Sequence, residues 1–157
     1  MGPRVAAEDA PGSSRPRLSA DELASWRAYL RGHATVTRAL EADLVAGPRL
    51  SLASYDVLVQ LVEAPGGRLR MTELADAVLL SRSGVTRLVD RLQRDGLVVR
   101  APVAEDGRGV AATITEHGVD RLRGASRIHL EGVARYFAAR LDAADLADLR
   151  RISERLS

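Results

Sequence analysis

Residues 72–115 constrain the fold most, because their apolar pattern changes from helical to strand-like within one short stretch. The segment TELADAV and a longer one after Ser81 repeat their apolar residues every three or four positions, which predicts two amphipathic helices. Two strings that read as β-strands follow, Leu97–Arg100 and the weaker Val110–Ile114, and the charged, glycine-rich segment Ala101–Gly109 joins them. This order predicts a helix-turn-helix followed by a β-hairpin wing.

The ends of the two helices carry residues that favour helix starts and stops. We expect Thr72 to cap the first helix, and Ser81, backed by Ser83, to cap the second, because a hydroxyl can accept from free backbone N–H groups. Gly96 is well placed to end the second helix in a left-handed conformation. Four positions of the second helix form one apolar face: Val85, Leu88, Val89 and Leu92.

The opposite face of the second helix is basic. Between Ser81 and Arg100 the chain has five arginines against two acids, although the whole chain carries a net charge of only +2. Such a face suits DNA, because neutralised phosphates release counterions and a guanidinium can pair with guanine O6 and N7. The side chains on this face are Arg82, Ser83, Thr86, Arg87, Arg91 and Arg94.

The loop of the wing carries one arginine in a favourable place. Two glycines flank Arg108, so the backbone there can approach another molecule closely. An arginine on such a tip suits a narrow minor groove, where the negative potential is strongest. Asp106 is placed to hold the Arg108 guanidinium through a charge-assisted hydrogen bond.

Further amphipathic segments lie on both sides of this region. Ser19–Glu22 forms a capping box that predicts a helix start, and the apolar stripe behind it ends near Gly47–Pro48. After the wing we expect a helix over 116–140 and another that begins after Asp142. A winged helix does not need three further amphipathic helices to cover its core, so we expect a second copy of the chain to pack on them.

These motifs resemble the MarR (multiple antibiotic resistance regulator) family of bacterial transcription factors. The resemblance rests on TELADAV, SRSGVTRLVDRLQRDGLVVR, Asp106-x-Arg108, the segment ITEHG ending at Gly118, and LSLASYDVL beginning at Leu50. It implies that Arg87 lies where the family often reads a base and that Arg108 is the residue at the minor groove. The recognition-helix residues that it implies as DNA contacts are Ser81, Arg82, Ser83, Gly84, Thr86, Arg87 and Arg91.

The same resemblance implies a homodimer in which the first and last helices interlock. It also implies a small-molecule pocket, for which Trp26, His33 and Tyr55 are candidate lining residues, with core packing as the alternative for each. By analogy we expect a ligand-responsive repressor that binds double-stranded DNA at a pseudo-palindromic operator. The alternative is a winged-helix protein-interaction module without DNA binding, but arginines on the recognition face argue against an apolar protein-docking surface.

Composition excludes several other functions. The chain has no cysteine, and its three histidines lack metal-ligand spacing, so we expect neither a metal nor a cofactor. No nucleophilic triad is present, which argues against an enzyme, and no apolar run approaches the roughly 20 residues that cross a bilayer. All 23 basic residues are arginine, which suggests a GC-rich genome and hence a bacterial cytoplasmic protein.

The predicted fold class is mainly α (α+β), a winged helix-turn-helix with flanking N- and C-terminal dimerisation helices. Residues 1–18 are rich in Pro, Gly, Ser and Ala and are expected to form a disordered leader. We assign 19–47 and 115–157 to the helical dimerisation region and 48–114 to the winged helix-turn-helix DNA-binding domain.

Overall fold

The computed structural model describes residues 17–78, 80–103 and 106–156, and for 106–108 it describes the backbone only. Most of the predicted leader therefore lies outside the described residues. The elements in chain order are helices α1 (Ala20–Ala46) and α2 (Leu52–Glu63), strand β1 (Arg68–Arg70), helices α3 (Met71–Ala77) and α4 (Arg82–Arg94), strands β2 (Val98–Val103) and β3 (Asp106–Ile114), and helices α5 (Glu116–Tyr136) and α6 (Ala143–Glu154).

The chain divides at His33 into two compact units. The first unit contains the beginning of α1, where the predicted capping box is present. The Ser19 hydroxyl accepts from the Glu22 N–H at 3.1 Å, and the Glu22 carboxylate accepts from the Ser19 N–H at 2.7 Å. The second unit, from Ala34 onwards, contains every other element.

The core of the second unit lies where α2, α3 and α4 meet the sheet. Leu44 of α1 and Leu122 of α5 extend this core on the side of the flanking helices. Tight burial of this kind supplies most of the free energy that holds helices of this length in place, because short helices are marginal alone. The largest fully buried side chains are Leu44, Leu58, Leu61, Leu74, Leu92, Leu97, Val57, Val85, Val89 and Val98.

The three strands form an antiparallel sheet in the order β1-β3-β2. The predicted wing turn, 101–109, was too long, because both strands continue into it. Ala101 pairs with Ala111 and Pro102 with Val110, so cross-strand pairing outweighs the poor strand preference of these residue types. The pairing becomes irregular immediately after Pro102, which has no N–H to donate to the ladder. Strand β1 was not predicted, since three residues give no readable alternation.

The helix ends agree with the sequence at α4 and differ at α3. The Ser81 hydroxyl accepts from the Gly84 N–H at 3.1 Å, and Gly96 has a φ of 72°, so both predicted ends of α4 are confirmed. Helix α3 begins before Thr72, which was wrongly predicted as its cap. The Glu73 carboxylate instead accepts from the Arg70 N–H at 2.9 Å, which moves the helix start towards Arg70.

The flanking helices follow the prediction with one change. Helix α5 ends at Tyr136 rather than at Arg140, and a single 3-10 turn, Ala138–Arg140, follows it. The Asp142 carboxylate accepts from the Asp145 N–H at 2.8 Å and caps α6, as the sequence predicts. The predicted fold class is confirmed: the chain is mainly helical, with a winged helix-turn-helix between flanking helices.

The start of α5 passes very close to the backbone of the wing. The Thr115 hydroxyl accepts from the Gly118 N–H at 3.0 Å and donates to the Gly96 carbonyl at 2.8 Å. A Cβ on Gly118 would lie 2.2 Å from the Leu97 carbonyl oxygen and 2.8 Å from Ile114 Cγ1. Only glycine fits here without displacing backbone, so this residue sets the distance between α5 and the wing.

We predict that Gly118→Ala lowers the free energy of unfolding by about 1–3 kcal/mol or more, because overpacking against a backbone oxygen cannot be relieved by a rotamer change. Gly124→Ala on the same helix is the matched control, since nothing lies within 4 Å of a Cβ at that position. It should stabilise the protein by about 0.5–1 kcal/mol through helix propensity. Chemical denaturation of both variants checks this, and equal effects would contradict the assigned contact.

Candidate nucleic-acid interface

The buried side of α4 determines which way its other side points. Val85, Val89 and Leu92 are no more than 1% exposed, and Leu88 is 8% exposed. These positions pack towards α2, α3 and the sheet, so the helix has only one orientation in which its apolar face is covered. The opposite, arginine-bearing side of α4 consequently faces solvent.

The structure places the predicted contact residues together on this solvent side and at the start of the helix. All are exposed except Gly84, which is half-buried and donates its N–H to the capping Ser81 hydroxyl. The hydroxyls of Ser81 and Ser83 are 3.3 Å apart, and the Thr86 hydroxyl donates to the Arg82 carbonyl at 2.9 Å. The exposed members are Ser81, Arg82, Ser83, Thr86, Arg87 and Arg91.

The arginines on this side keep their charge available. Within the described part of the chain, no carboxylate forms a salt bridge with Arg82, Arg87 or Arg91. Arg94, near the end of the helix, donates from Nε to the Asp90 carbonyl at 3.4 Å. The face therefore presents uncompensated guanidinium groups, which is the local charge that attraction of phosphates requires.

Arg100 of β2 behaves differently from the arginines on α4. Its Nη2 forms a salt bridge with the Asp90 carboxylate, and its Nε donates to Gln93 Oε1 at 2.8 Å. The Arg100–Asp90 pair takes one arginine and one acid out of the count of five against two, so four arginines against one acid remain and the net positive charge of the segment is unchanged. This pairing joins the wing to α4. The signal for it in the sequence is that Asp90 and Gln93 are three residues apart and therefore lie on the same side of the helix.

The two predicted wing residues lie at the start of β3. The backbone of Asp106 pairs with Val103, and the strand runs on through Arg108. The side chains of Asp106 and Arg108 lie outside the described residues, so their hydrogen bond and the minor-groove contact stay predictions.

The three residues named for a ligand pocket fall in both units. Trp26 and His33 belong to the first unit, where both are exposed. The centroid of the Tyr29 ring lies 5.9 Å from that of Trp26 and 6.3 Å from that of His33. Tyr55 belongs to the second unit and is buried. Its ring stacks on His129 with centroids 4.5 Å apart, and its hydroxyl donates to Ser126 Oγ at 3.4 Å.

His129 was not singled out from the sequence, yet it lies in an unusual place between α2 and α5. Its Nδ1 is buried and has no hydrogen-bond partner among the described residues. Burial lowers the pKa of His129 below its ordinary value, and the nearby Asp56 carboxylate partly opposes this. Desolvation likewise raises the pKa of Asp56, opposed by His129. An isolated histidine gives no sequence signal for such a contact, because its partners come from another helix.

The described residues contain neither of two other features, a cluster of metal ligands and a membrane-spanning helix. Within them, no three His, Asp or Glu side chains are grouped so that they could hold a metal ion. None of the helices in the same ranges combines the length and apolarity needed to span a membrane.

The fold and the exposed basic face of α4 define a winged helix-turn-helix protein. Residues 50–109 match the sequence profile of the MarR family. Two solved structures from Streptomyces coelicolor, both MarR family transcriptional regulators, have the same fold. Sco3205, solved in complex with DNA, is 31% identical with a TM-score of 0.84, over 90% of this chain and 89% of that chain. AbsC is 34% identical with a TM-score of 0.81, over 90% and 98%.

A further relative is the HTH-type transcriptional repressor YetL of Bacillus subtilis, 38% identical over 77 residues, which are 49% of this chain and 46% of YetL. The chain spans 46% to 65% of the length of the curated relatives that it matches. The chain belongs to the MarR family of transcriptional regulators, and the resemblance seen in its sequence is confirmed.

We predict that stability falls as pH is lowered from about 7 to 5, through His129. The folded protein holds this imidazole below its ordinary pKa of 6.5, so the unfolded chain takes up the proton first and unfolding becomes easier. His129→Phe keeps a ring against Tyr55 but cannot be protonated, and it should flatten this decline. Asp56→Asn should steepen it, because the carboxylate that favours the imidazolium is lost.

Urea denaturation at closely spaced pH values measures this dependence. Parallel curves for the wild type and His129→Phe between those pH values would show that His129 does not carry the effect.

Proposed function

We propose that this chain is a sequence-specific DNA-binding transcriptional regulator that acts as a homodimer on a pseudo-palindromic operator. In this proposal α4 enters the major groove and the hairpin β2–β3 reaches the adjacent minor groove. The proposed base and phosphate contacts are Ser81, Arg82, Ser83, Gly84, Thr86, Arg87 and Arg91 on α4, with Asp106 and Arg108 on the wing.

One observation carries the proposal: the face of α4 opposite its buried side is exposed and basic. Within the described residues, its Arg82, Arg87 and Arg91 form no salt bridge. A helix held by its apolar face and presenting guanidinium groups on the other has the geometry for reading base edges in the major groove. The similar structure of Sco3205, which was solved in complex with DNA, supports DNA as the partner.

The flanking helices support a dimer. A single chain leaves large apolar side chains exposed on these helices, and a second copy that packs on them would remove this apolar surface from water. A two-fold dimer also places two recognition helices about one helical turn apart, roughly 34–36 Å, to meet successive major grooves. The exposed apolar side chains on α1, α5 and α6 include Trp26, Tyr29, Leu30, Leu130 and Ile152.

We further propose that the regulator is a repressor in the bacterial cytoplasm and that a small molecule controls it. The relative YetL is an HTH-type transcriptional repressor, which supports repression as the direction of regulation. A ligand that binds better when the recognition helices are wrongly spaced would shift the protein away from DNA. Trp26, His33 and Tyr55 remain the predicted pocket residues.

The alternative, a protein-interaction module that has lost DNA binding, is not favoured. Its docking face would be expected to carry apolar or aromatic side chains, whereas the exposed face of α4 carries arginine, serine and threonine. We also propose that the chain is not an enzyme, since the family is a class of transcriptional regulators.

We predict that Arg87→Ala weakens binding to a duplex from the chain's own upstream region by about 1–3 kcal/mol and relaxes specificity at one base position, because a bidentate contact to guanine is lost. Arg108→Ala should weaken binding chiefly where the minor groove is narrow. Fluorescence anisotropy with labelled duplexes measures both effects.

The matched control is Arg123→Ala, which removes an arginine from an exposed pair with Asp120 on α5. It should leave DNA binding unchanged. Wild-type affinity in both the Arg87 and Arg108 variants would refute the assigned contacts, and binding that does not weaken with rising salt would refute DNA as the partner.

A further inference from the structure

An open cavity of about 450 Å³ lies between the recognition helix, the wing and the start of α3. Thr86 contributes from α4, whereas Gly109 and Val110 contribute from β3. On the remaining side are Arg70, Thr72 and Arg100. The cavity thus borders both elements that are proposed to enter the grooves of DNA, and of its lining residues only Thr86 belongs to the contact surface predicted from the sequence.

The lining has the chemistry of an anion site. Arg70 and Arg100 bring two guanidinium groups, Thr72 brings a hydroxyl, and among the described residues no carboxylate lines the cavity. Hydrogen bonds from guanidinium groups to phosphate oxygens are short and roughly twice as strong as neutral ones. The Thr86 hydroxyl already donates to the Arg82 carbonyl, so Thr86 forms a wall of the cavity rather than a donor into it.

Arg100 is held in position before any ligand arrives. Asp90 and Gln93 fix its Nη2 and Nε, and a guanidinium has five N–H donors, so further donors remain. The backbone of Arg70 is fixed at the start of α3, where its N–H donates to the Glu73 carboxylate. Because its guanidinium is already held, Arg100 loses little conformational freedom when it binds an anion, which favours affinity.

The path of DNA over the protein identifies the anion. A single sugar–phosphate backbone separates a major groove from the adjacent minor groove. If α4 lies in the first and the wing in the second, that backbone must cross the space between Thr86 and Val110, where the cavity opens. Contacts to phosphates fix the register of a protein on the duplex without reading sequence.

We propose that this cavity seats a backbone phosphate of the bound duplex, held by Arg70, Arg100 and Thr72. The inference rests on the proposed DNA-binding function and adds a third contact region between the recognition helix and the wing. Because Arg100 also joins β2 to α4, the same side chain fixes the spacing of the two groove-binding elements and contacts the backbone strand between them.

The test is salt-dependent anisotropy on the full chain with operator and random duplexes. Arg70→Gln should weaken binding to both duplexes by the same factor, roughly tenfold or more for a lost charged hydrogen bond. The slope of log K against log salt should become shallower by about 1, as expected for one phosphate contact. Arg70→Lys should retain the slope, and Thr72→Val should weaken binding to both duplexes without changing it.

Arg123→Gln is the matched control for the loss of one positive charge, and circular dichroism of each variant verifies folding. An unchanged affinity and slope in Arg70→Gln, or weaker binding with an unchanged slope, would overturn the phosphate site while the wild type still binds DNA. Weakening on the operator alone would also overturn it, because it would indicate a base contact. A wild type without salt-dependent duplex binding would instead refute the proposed function.

Discussion

The burial of one side of α4 is the contact on which the remaining structure depends. Val85, Leu88, Val89 and Leu92 are covered by α2, α3 and the sheet, and this covering leaves a single orientation for the helix. The arginines of α4 therefore face solvent, because burying an unpaired guanidinium would cost far more free energy than packing could return. The basic face is therefore a consequence of core packing, and the proposed DNA contact uses a surface that the core has already fixed.

Two further contacts hold the neighbouring elements at fixed distances from α4. The Arg100 guanidinium joins β2 to Asp90 and Gln93, and the bare Cα of Gly118 lets α5 start against the Leu97 carbonyl. The first contact sets the spacing between recognition helix and wing, and the second sets the spacing between the wing and the long helix α5. A regulator that must match the groove spacing of DNA needs both distances to be reproducible.

Much of the fold could be predicted from the sequence because its strongest signals are local. Ser81, Gly96 and the apolar period of α4 lie within one helix, and the structure has all three where they were expected. At α3 the error was local, because the Glu73 carboxylate accepts from the Arg70 N–H and moves the helix start to before Thr72. At the wing the error arose from residues distant in sequence, because cross-strand pairing extends β2 through Ala101 and Pro102. For the same reason, sequence patterns identified the recognition face but missed the Arg100 pairing, the Tyr55–His129 stack and the cavity at Arg70.

In the proposed complex α4 lies in the major groove, once for each chain of a symmetric pair. Protection of guanine N7 from dimethyl sulfate reports this placement, because N7 is exposed only in the major groove. On an operator duplex we expect two clusters of protected guanines about 10 base pairs apart on one face of the DNA. Full binding of the duplex with every guanine N7 still reactive would contradict it.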